Sequence, residues 1–584
     1  MSTDVSPVSG TAVQPGTAVQ NSTTFTRRQA VNSSVVTGAF LDRARTALER
    51  QRAICAAPQE HSDRVFKDIL DQAEGTYFGK KHGLSAVRTL ADWKKAVPVR
   101  CYPAFEPYIQ KLLDGDSNVL TRSDPYAFLK TSGSSGKPKL IPTTRHWRNL
   151  YRGRALYAQW GLYFESIGYE RSRGAAVLDL SWERTASIDP VGDFPSYSIS
   201  QRPASVSSVD WTPPWYEEDW FQGVEDEDYK TGLYRKLRLL ASSDVRIVVA
   251  LNPSKIVGLA EQLAERSGDL IADLRHGTLD GLPCGDPDPA RAAGLEAARR
   301  ANGGGLRIAD LWPDLSLVVS WNSASAALYR PWLEEVTPGV PKLPFSATGT
   351  EGIVTIPVDA HDSAGPLAID LGLYEFVPAD DRDDDADLEP DVETVGYRDL
   401  DVGRTYNVVM SQANGLYRYD LGDRYTVVDR VGEVPRMAFA GRSGFGSSFT
   451  GEKLTEEDVH NAVRLGLGDD WRFRPLFTCI PVWNTPPGYT LAIEWPEELA
   501  STPERFAERV EAQLQRLNIE YAEKRRTERL TPMRVLAVRP GTFAAIDQRR
   551  QREGASPAQL KHYWIQRNGD LLRYFDDGAH WGAS

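Results

Sequence analysis

Apolar residues recur along this chain in two rhythms, and the alternation between them is the first guide to its architecture. From residue 40 to 57 the string FLDRARTALERQRAICAA places Phe40, Leu41, Ala44 and Leu48 on one helical face. Residues 120–144 read as strand, Gly-rich turn, strand. Residues 245–266 open with the solid apolar run VRIVVA, turn at Asn252-Pro253, and continue as an amphipathic helix, the pattern of a βα unit. LSLVVSW at 315–321 is another buried strand. Strands and helices alternating in this way predict an α/β architecture.

The rhythm changes at both ends. Residues 1–35 are rich in Ser, Thr, Val, Gln and Gly with almost no aromatic content, which predicts a disordered tail. After about residue 441, helix-like segments (EEDVHNAVRLGL, PERFAERVEAQLQRLNIEYAEKRR) flank strand-like ones (YTLAIEW, MRVLAVRP). The expected division is therefore a large mixed domain over 36–441 and a small α+β domain over 442–584. The acidic run at 380–391 lies between two strand-like segments. It has no fixed ligand spacing and reads as a solvated loop. No internal repeat occurs.

Composition narrows the chemistry. A net charge of −12 argues against a nucleic-acid-binding surface, so any polyanionic ligand must meet a local basic patch. Cys55, Cys101, Cys284 and Cys479 lie far apart, with no CxxC pair and no clustered histidines, which removes the common zinc spacings and any disulfide framework. No run of about 18 apolar residues exists to span a membrane. The segment after Arg27-Arg28 is too polar for the core of an export signal. A cytoplasmic protein, monomeric rather than an obligate oligomer, is the expectation.

The chemistry concentrates in a few strings. Thr131-Ser132-Gly133-Ser134-Ser135-Gly136-Lys137-Pro138-Lys139 follows the strand-like AFLK. Its glycines let backbone N–H groups approach a phosphate, its hydroxyls add donors, and Lys137 and Lys139 add charge. It is not a Walker A loop, because only two residues separate its first Gly from the Gly-Lys pair and Pro138 follows. A polar surface turn is the bland alternative. Phe345-Ser346-Ala347-Thr348-Gly349-Thr350-Glu351-Gly352 offers a carboxylate between glycines, and could equally be a turn before the strand IVTIPV. Asp423, after Gly422, could likewise just close a turn. Arg418 could be an ordinary strand arginine, and Lys561 an ordinary solvated lysine.

Taken in order, these strings resemble the motifs of the adenylate-forming enzymes. The spellings GLYRYDLGD at 415–423 and GAS-x-x-Q-x-K at 554–561, with PKLIPTT after the phosphate loop, resemble the auxin-responsive (Gretchen Hagen) family of acyl-acid amido synthetases, including its bacterial relatives. HGL at 82–84, VPVRCYPAFEPYIQKLLDG at 97–115 and ALNPS at 250–254 read the same way, so the resemblance runs from about residue 40 to the end. One departure is that the phosphate loop is a residue shorter than the plant form and matches the broader superfamily.

The resemblance implies ATP and Mg2+ as cofactors, with Glu351 on the metal and Asp423 on the ribose hydroxyls. Lys561 would be the catalytic lysine, assisted by Glu351 and Arg418. Further nucleotide contacts would come from residues 131–137, Lys139, Ser323, Thr348, Gly349, Thr350, Tyr417 and Arg442. Ser323 belongs to the small-residue turn after LSLVVSW where the superfamily places adenine, although Asn322 or Ser323 could simply cap a helix. Ala440-Gly441-Arg442-Ser443 resembles the superfamily's domain hinge. The implied reaction joins a small carboxylic acid to an amine through an acyl-adenylate. Thioester formation with coenzyme A or a carrier protein is the alternative, and a nucleotide-binding regulator without turnover is a third reading. Aromatics between residues 147 and 220 (Tyr151, Tyr157, Trp160, Tyr163, Phe164, Trp182, Phe194) could line an acyl pocket or form core.

Overall fold

The computed structural model describes residues 35–130, 139–181, 189–198, 213, 215, 229–379, 388–442, 452, 454–482, 486–499, 501–526, 530–553, 562–566 and 569–575. The expected N-terminal tail, the phosphate loop 131–138, most of the acidic run and Lys561 lie outside them.

Four main sheets organise the chain. The first orders β2 (Leu140–Thr144), β1 (Pro125–Lys130), β5 (Phe194–Ser198) and β4 (Asp189–Val191), so the two segments bracketing the phosphate loop are antiparallel neighbours. The second is wholly parallel: β10 (Lys342–Pro344), β9 (Leu317–Ser320), β6 (Val245–Ala250), β3 (Ala176–Asp179). Its strands are buried almost throughout, which is why they read as continuous apolar runs rather than alternating ones. A short hairpin, β7 (Thr278–Leu279) and β8 (Leu282–Pro283), turns on Asp280-Gly281, both at positive φ, the conformation that an Asp-Gly pair favours.

The third sheet is antiparallel, in the order β11 (Ala364–Pro366), β15 (Val434–Arg442), β14 (Tyr419–Val431), β13 (Thr405–Ser411), β12 (Leu373–Pro378). The fourth belongs to the small C-terminal domain: β16 (Phe477–Val482), β17 (Gly488–Glu494), β18 (Arg534–Val538). It packs helices Glu456–Leu467 and Pro503–Leu517 through a core that includes Val459, Val463, Leu491, Phe506 and Val510. The fold is thus mixed α/β, with a large N-terminal domain and a smaller C-terminal one.

The two domains meet through aromatic rings. Trp332 lies 6.4 Å from Trp471 and Tyr329 6.3 Å from Trp564, ring centre to ring centre. Arg474 packs over Trp332 at 5.2 Å and pairs with Glu335.

The 40–57 periodicity corresponds to a helix over Gly38–Ala56, capped by Thr37, with Phe40, Leu41, Ala44 and Leu48 buried as expected. This helix crosses the helix Gly153–Ile167 at Gly161, where a Cβ would stand 2.3 Å from the Ala44 carbonyl oxygen and 2.8 Å from Leu48 Cβ. Only a residue without a side chain allows that approach. Gly161→Ala is expected to destabilise the large domain by about 1–3 kcal/mol through overpacking. A urea midpoint equal to that of the parent protein would show that the crossing relaxes freely.

Candidate active site

Residues 348–353 form a tight turn. Thr348 bridges Ile353, the Gly349 N–H donates to the Gly352 carbonyl at 2.8 Å, and Thr350 and Glu351 occupy the tip. Both glycines leave room for side chains that come close to them. A Cβ on Gly349 would stand 2.9 Å from Glu351 Oε2, and one on Gly352 would stand 2.9 Å from Met410 Cε and 3.0 Å from Gln412 Cδ. Glu351 is only 7% exposed, yet its carboxylate makes no hydrogen bond or ion pair among the described residues. A nearly buried carboxylate without a protein partner is costly unless a cation or donor is supplied. That is the donor chemistry a Mg2+ ion bound through one carboxylate and substrate phosphates would use.

The turn rests on β13 through Met410, which pairs with Tyr419 of β14. The Tyr419 hydroxyl accepts from Lys139 Nζ at 3.1 Å, and the ammonium lies 5.7 and 5.8 Å from the ring centres of Tyr102 and Tyr419. Tyr102 clamps the exit of the phosphate loop: it accepts from the Leu140 N–H at 2.7 Å and donates to the Leu140 carbonyl at 3.1 Å. Burial, with the nearby Glu106 and Glu351 charges adding, pushes its phenol up to about 12, so it remains a neutral donor. Lys139 and Glu351 thus share one neighbourhood. Asp423 lies four residues further along β14, nearly buried and directly opposite Arg442 of β15.

Two expected nucleotide contacts are corrected. Arg418, at φ 46°, is buried and uses all five N–H donors within the protein: Nε and Nη2 to Glu375 at 3.0 and 2.9 Å, Nη1 to the Lys94 and Val97 carbonyls, and Nη2 also to Thr394 Oγ1. It is a structural clamp with no donor left for a phosphate, which removes it from the catalytic set. Tyr417 is also core, its hydroxyl bonded to the Leu120 carbonyl at 2.9 Å and its ring packed on Phe78 and Trp93. The motif was legible, but its two bulkiest members turn inward.

Ser323 donates to the Ser363 carbonyl at 2.9 Å, and Asn322 to that of Asp362. Ser323 occupies the cap position of a 3-10 helix without forming a side-chain cap bond, and with Trp321 and Phe345 lines a small cavity at the carboxyl ends of β9 and β10. That is where parallel sheets of this kind bind ligands. Gly441 and Arg442 are the last residues of β15, so the described half of the expected hinge is strand. The side chain of Arg442 lies outside the described residues, as do residues 131–137 and Lys561. The chain resumes at His562, whose Nε2 contacts the Phe477 carbonyl at 2.7 Å and whose burial drives its pKa down to about 4. A neutral imidazole therefore ties the neighbour of Lys561 to the small-domain sheet. Tyr151, Tyr157, Trp160, Tyr163 and Phe164 are core.

Arg152 went unread in the sequence. It is the last residue of a one-turn π-helix, Arg148–Arg152, and donates through Nη1 to the Gly349 carbonyl at 3.0 Å and through Nη2 to Thr348 Oγ1 at 3.2 Å. An arginine within an aromatic-rich helix carries no local signal when its partners lie nearly two hundred residues away. A π-turn is the one irregularity that marks the place.

A phosphate-loop exit lysine, a carboxylate partnerless among the described residues on a Gly-rich turn and a strand aspartate, in this fold, suit a ligase of the adenylate-forming kind that activates an acid with ATP. The chain matches the models of the GH3 family N-terminal domain over residues 47–342, the central domain over 365–442 and the C-terminal domain over 457–570. It belongs to the GH3 family. It is 28% identical to "Indole-3-acetic acid-amido synthetase GH3.17" of Arabidopsis thaliana over 445 residues, covering 68% of this chain and 71% of that protein. It is 23% identical to "Jasmonoyl--L-amino acid synthetase GH3.5" of Oryza sativa subsp. japonica, covering 68% and 73%. The solved structure "AtGH3.15 acyl acid amido synthetase in complex with 2,4-DB" shares the fold at a TM-score of 0.73 and 18% identity, over 91% of this chain and 95% of that one.

Arg418→Ala is expected to cost about 3–5 kcal/mol of stability by leaving Glu375 buried and unpaired. Thermal unfolding reads this directly. An unchanged midpoint together with lost nucleotide affinity would restore Arg418 to the nucleotide.

Proposed function

We propose that this chain activates an aryl or cyclic carboxylic acid with ATP and Mg2+ and transfers the acyl group to the amine of an amino acid. A carboxylate oxygen attacks the α-phosphorus, the bond to the bridging oxygen breaks, and pyrophosphate leaves. The amine then attacks the acyl carbon, the carbon–oxygen bond to AMP breaks, and the amine's proton passes to solvent. The observation that carries this reading is the 348–353 turn, which holds Glu351, unpartnered among the described residues, in the same neighbourhood as Lys139 at the end of the phosphate loop. Mg2+ held by Glu351 would neutralise phosphate charge as pyrophosphate departs. Asp423 receives the ribose hydroxyls, and Lys561, brought in by the small domain, contacts the reacting carboxylate and α-phosphate.

The acid class is suggested by the relatives, whose names specify indole-3-acetic and jasmonic acid conjugation. The one-residue-shorter phosphate loop supports placing the chain among the family's bacterial relatives. A cytoplasmic monomer is the setting we infer. None of the four cysteines forms a disulfide, and no described helix is long and apolar enough to cross a membrane.

ATP–pyrophosphate exchange over indole-3-acetate, jasmonate, benzoate and short hydroxy acids tests activation. Product analysis with an amino-acid panel and coenzyme A tests transfer. Amide products are expected, and a coenzyme A thioester as the main product would overturn the amide reading. Lys561→Ala is expected to lower exchange by about 10²–10³-fold with AMP affinity retained. Exchange that survives would displace the lysine from its role. Glu351→Ala should weaken the Mg2+ dependence of exchange, and an unchanged magnesium titration would count against the metal assignment.

A further inference from the structure

Behind the Glu351 turn lies a second charge without a counter-charge. Arg152 is 7% exposed, and among the described residues no carboxylate stands within 4 Å of its guanidinium. Among the described residues its hydrogen bonds are the two to Gly349 and Thr348, both neutral groups, which leaves three of its five N–H donors without a partner there. Trp147 lies under it at 5.4 Å, and the neighbouring charge on its own turn is another cation, Arg148. A buried guanidinium in this position is expensive unless an anion completes it. Burial, reinforced by Arg148, brings its pKa down to about 9, and Glu351 offsets only part of that.

Glu351 is close enough for its charge to be felt at Arg152, yet the two do not collapse into an ion pair. The short turn that Arg152 itself fixes keeps them apart. An anion on the 348–353 turn and a cation on the π-helix that braces it, each unpaired among the described residues, form a receptor for a ligand bearing both signs, with a metal toward Glu351 and an oxyanion toward Arg152.

We propose that Arg152 is an oxyanion-binding residue of the reaction site, taking an oxygen of the acid's carboxylate or of the α-phosphate with the donors left free behind the 348–353 turn. This rests on the acid-activating reading above and adds the residue that would hold the reacting anion. A planar fork suits either ligand, and a lysine does not reproduce it.

The test compares Arg152→Met and Arg152→Lys with the parent in two measurements. Calorimetric binding of AMP against adenosine isolates the phosphate. The KM of the acid giving the fastest exchange in the panel, against the KM of ATP, isolates the carboxylate. A phosphate contact is expected to lower the AMP-over-adenosine preference at least tenfold in Arg152→Met. A carboxylate contact is expected to raise the acid KM at least tenfold with ATP unaffected. Arg152→Lys should recover part of either loss. If both ratios stay within twofold in a variant with the parent's melting midpoint, Arg152 only braces the turn and the proposal falls. Should the methionine variant fail to fold, the lysine variant decides alone. If no acid drives exchange in the parent protein, the activity reading fails, while the AMP-over-adenosine ratio, which needs no turnover, still judges Arg152.

Discussion

The buried ion pair between Arg418 and Glu375 fixes the frame on which the site is built. It draws together β12, through Glu375, and the C-terminal end of the helix Leu90–Ala96, through the carbonyls of Lys94 in its last turn and of Val97 just after it. The backbone of Arg418 adds a bond from its N–H to Ser411 Oγ at 2.9 Å, which ties the start of β14 to the end of β13. Removing either charge would strand the other in the core. Because Arg418 sits in the left-handed region, the chain bends there and Tyr419 emerges toward Lys139. The residue next along the chain therefore reaches Lys139 while Arg418 turns inward to Glu375.

A similar division of labour runs through the site. Residues that hydrogen-bond within the protein (Tyr102, Tyr417, Arg418) set positions, and the nearly buried Glu351 has no partner among the described residues. Gly349 and Gly352 make this possible by letting the turn close on β13 without displacing the carboxylate. Local rigidity of this kind is what a site needs if its charges are not to neutralise one another before substrate arrives.

Much of the architecture was legible in the sequence because burial imposes period. The 245–266 pattern became β6, a turn at Pro253 and the helix Ser254–Glu265, and the 315–321 run became β9. The strands β4, β5 and β11 escaped, being three to five residues long and carrying proline. Site motifs were legible as spellings, but spelling does not say which way a side chain points. Tyr417 and Arg418 belong to a recognisable motif, yet Leu120 and Glu375, which claim them, come from distant segments. Arg152 was hidden for the same reason: its partners Thr348 and Gly349 are adjacent to it only after the sheets have assembled.

The overall charge of −12 opposes any approach of ATP, so attraction has to be local. The fold supplies it by placing Lys139 at the start of the segment that leads into β2, and Arg148 and Arg152 on the π-turn that follows that strand. All three come from one short stretch of chain, yet its two ends are held by different parts of the protein. Tyr102 holds Leu140, while Gln412 accepts from Trp147 Nε1 at 3.0 Å and Asp68 accepts from Tyr151. The backbone that carries these cations is therefore held at both ends, and the fold sets where they stand. In an acidic protein this matters more than their number, because a mobile lysine or arginine would find a carboxylate before it found a phosphate.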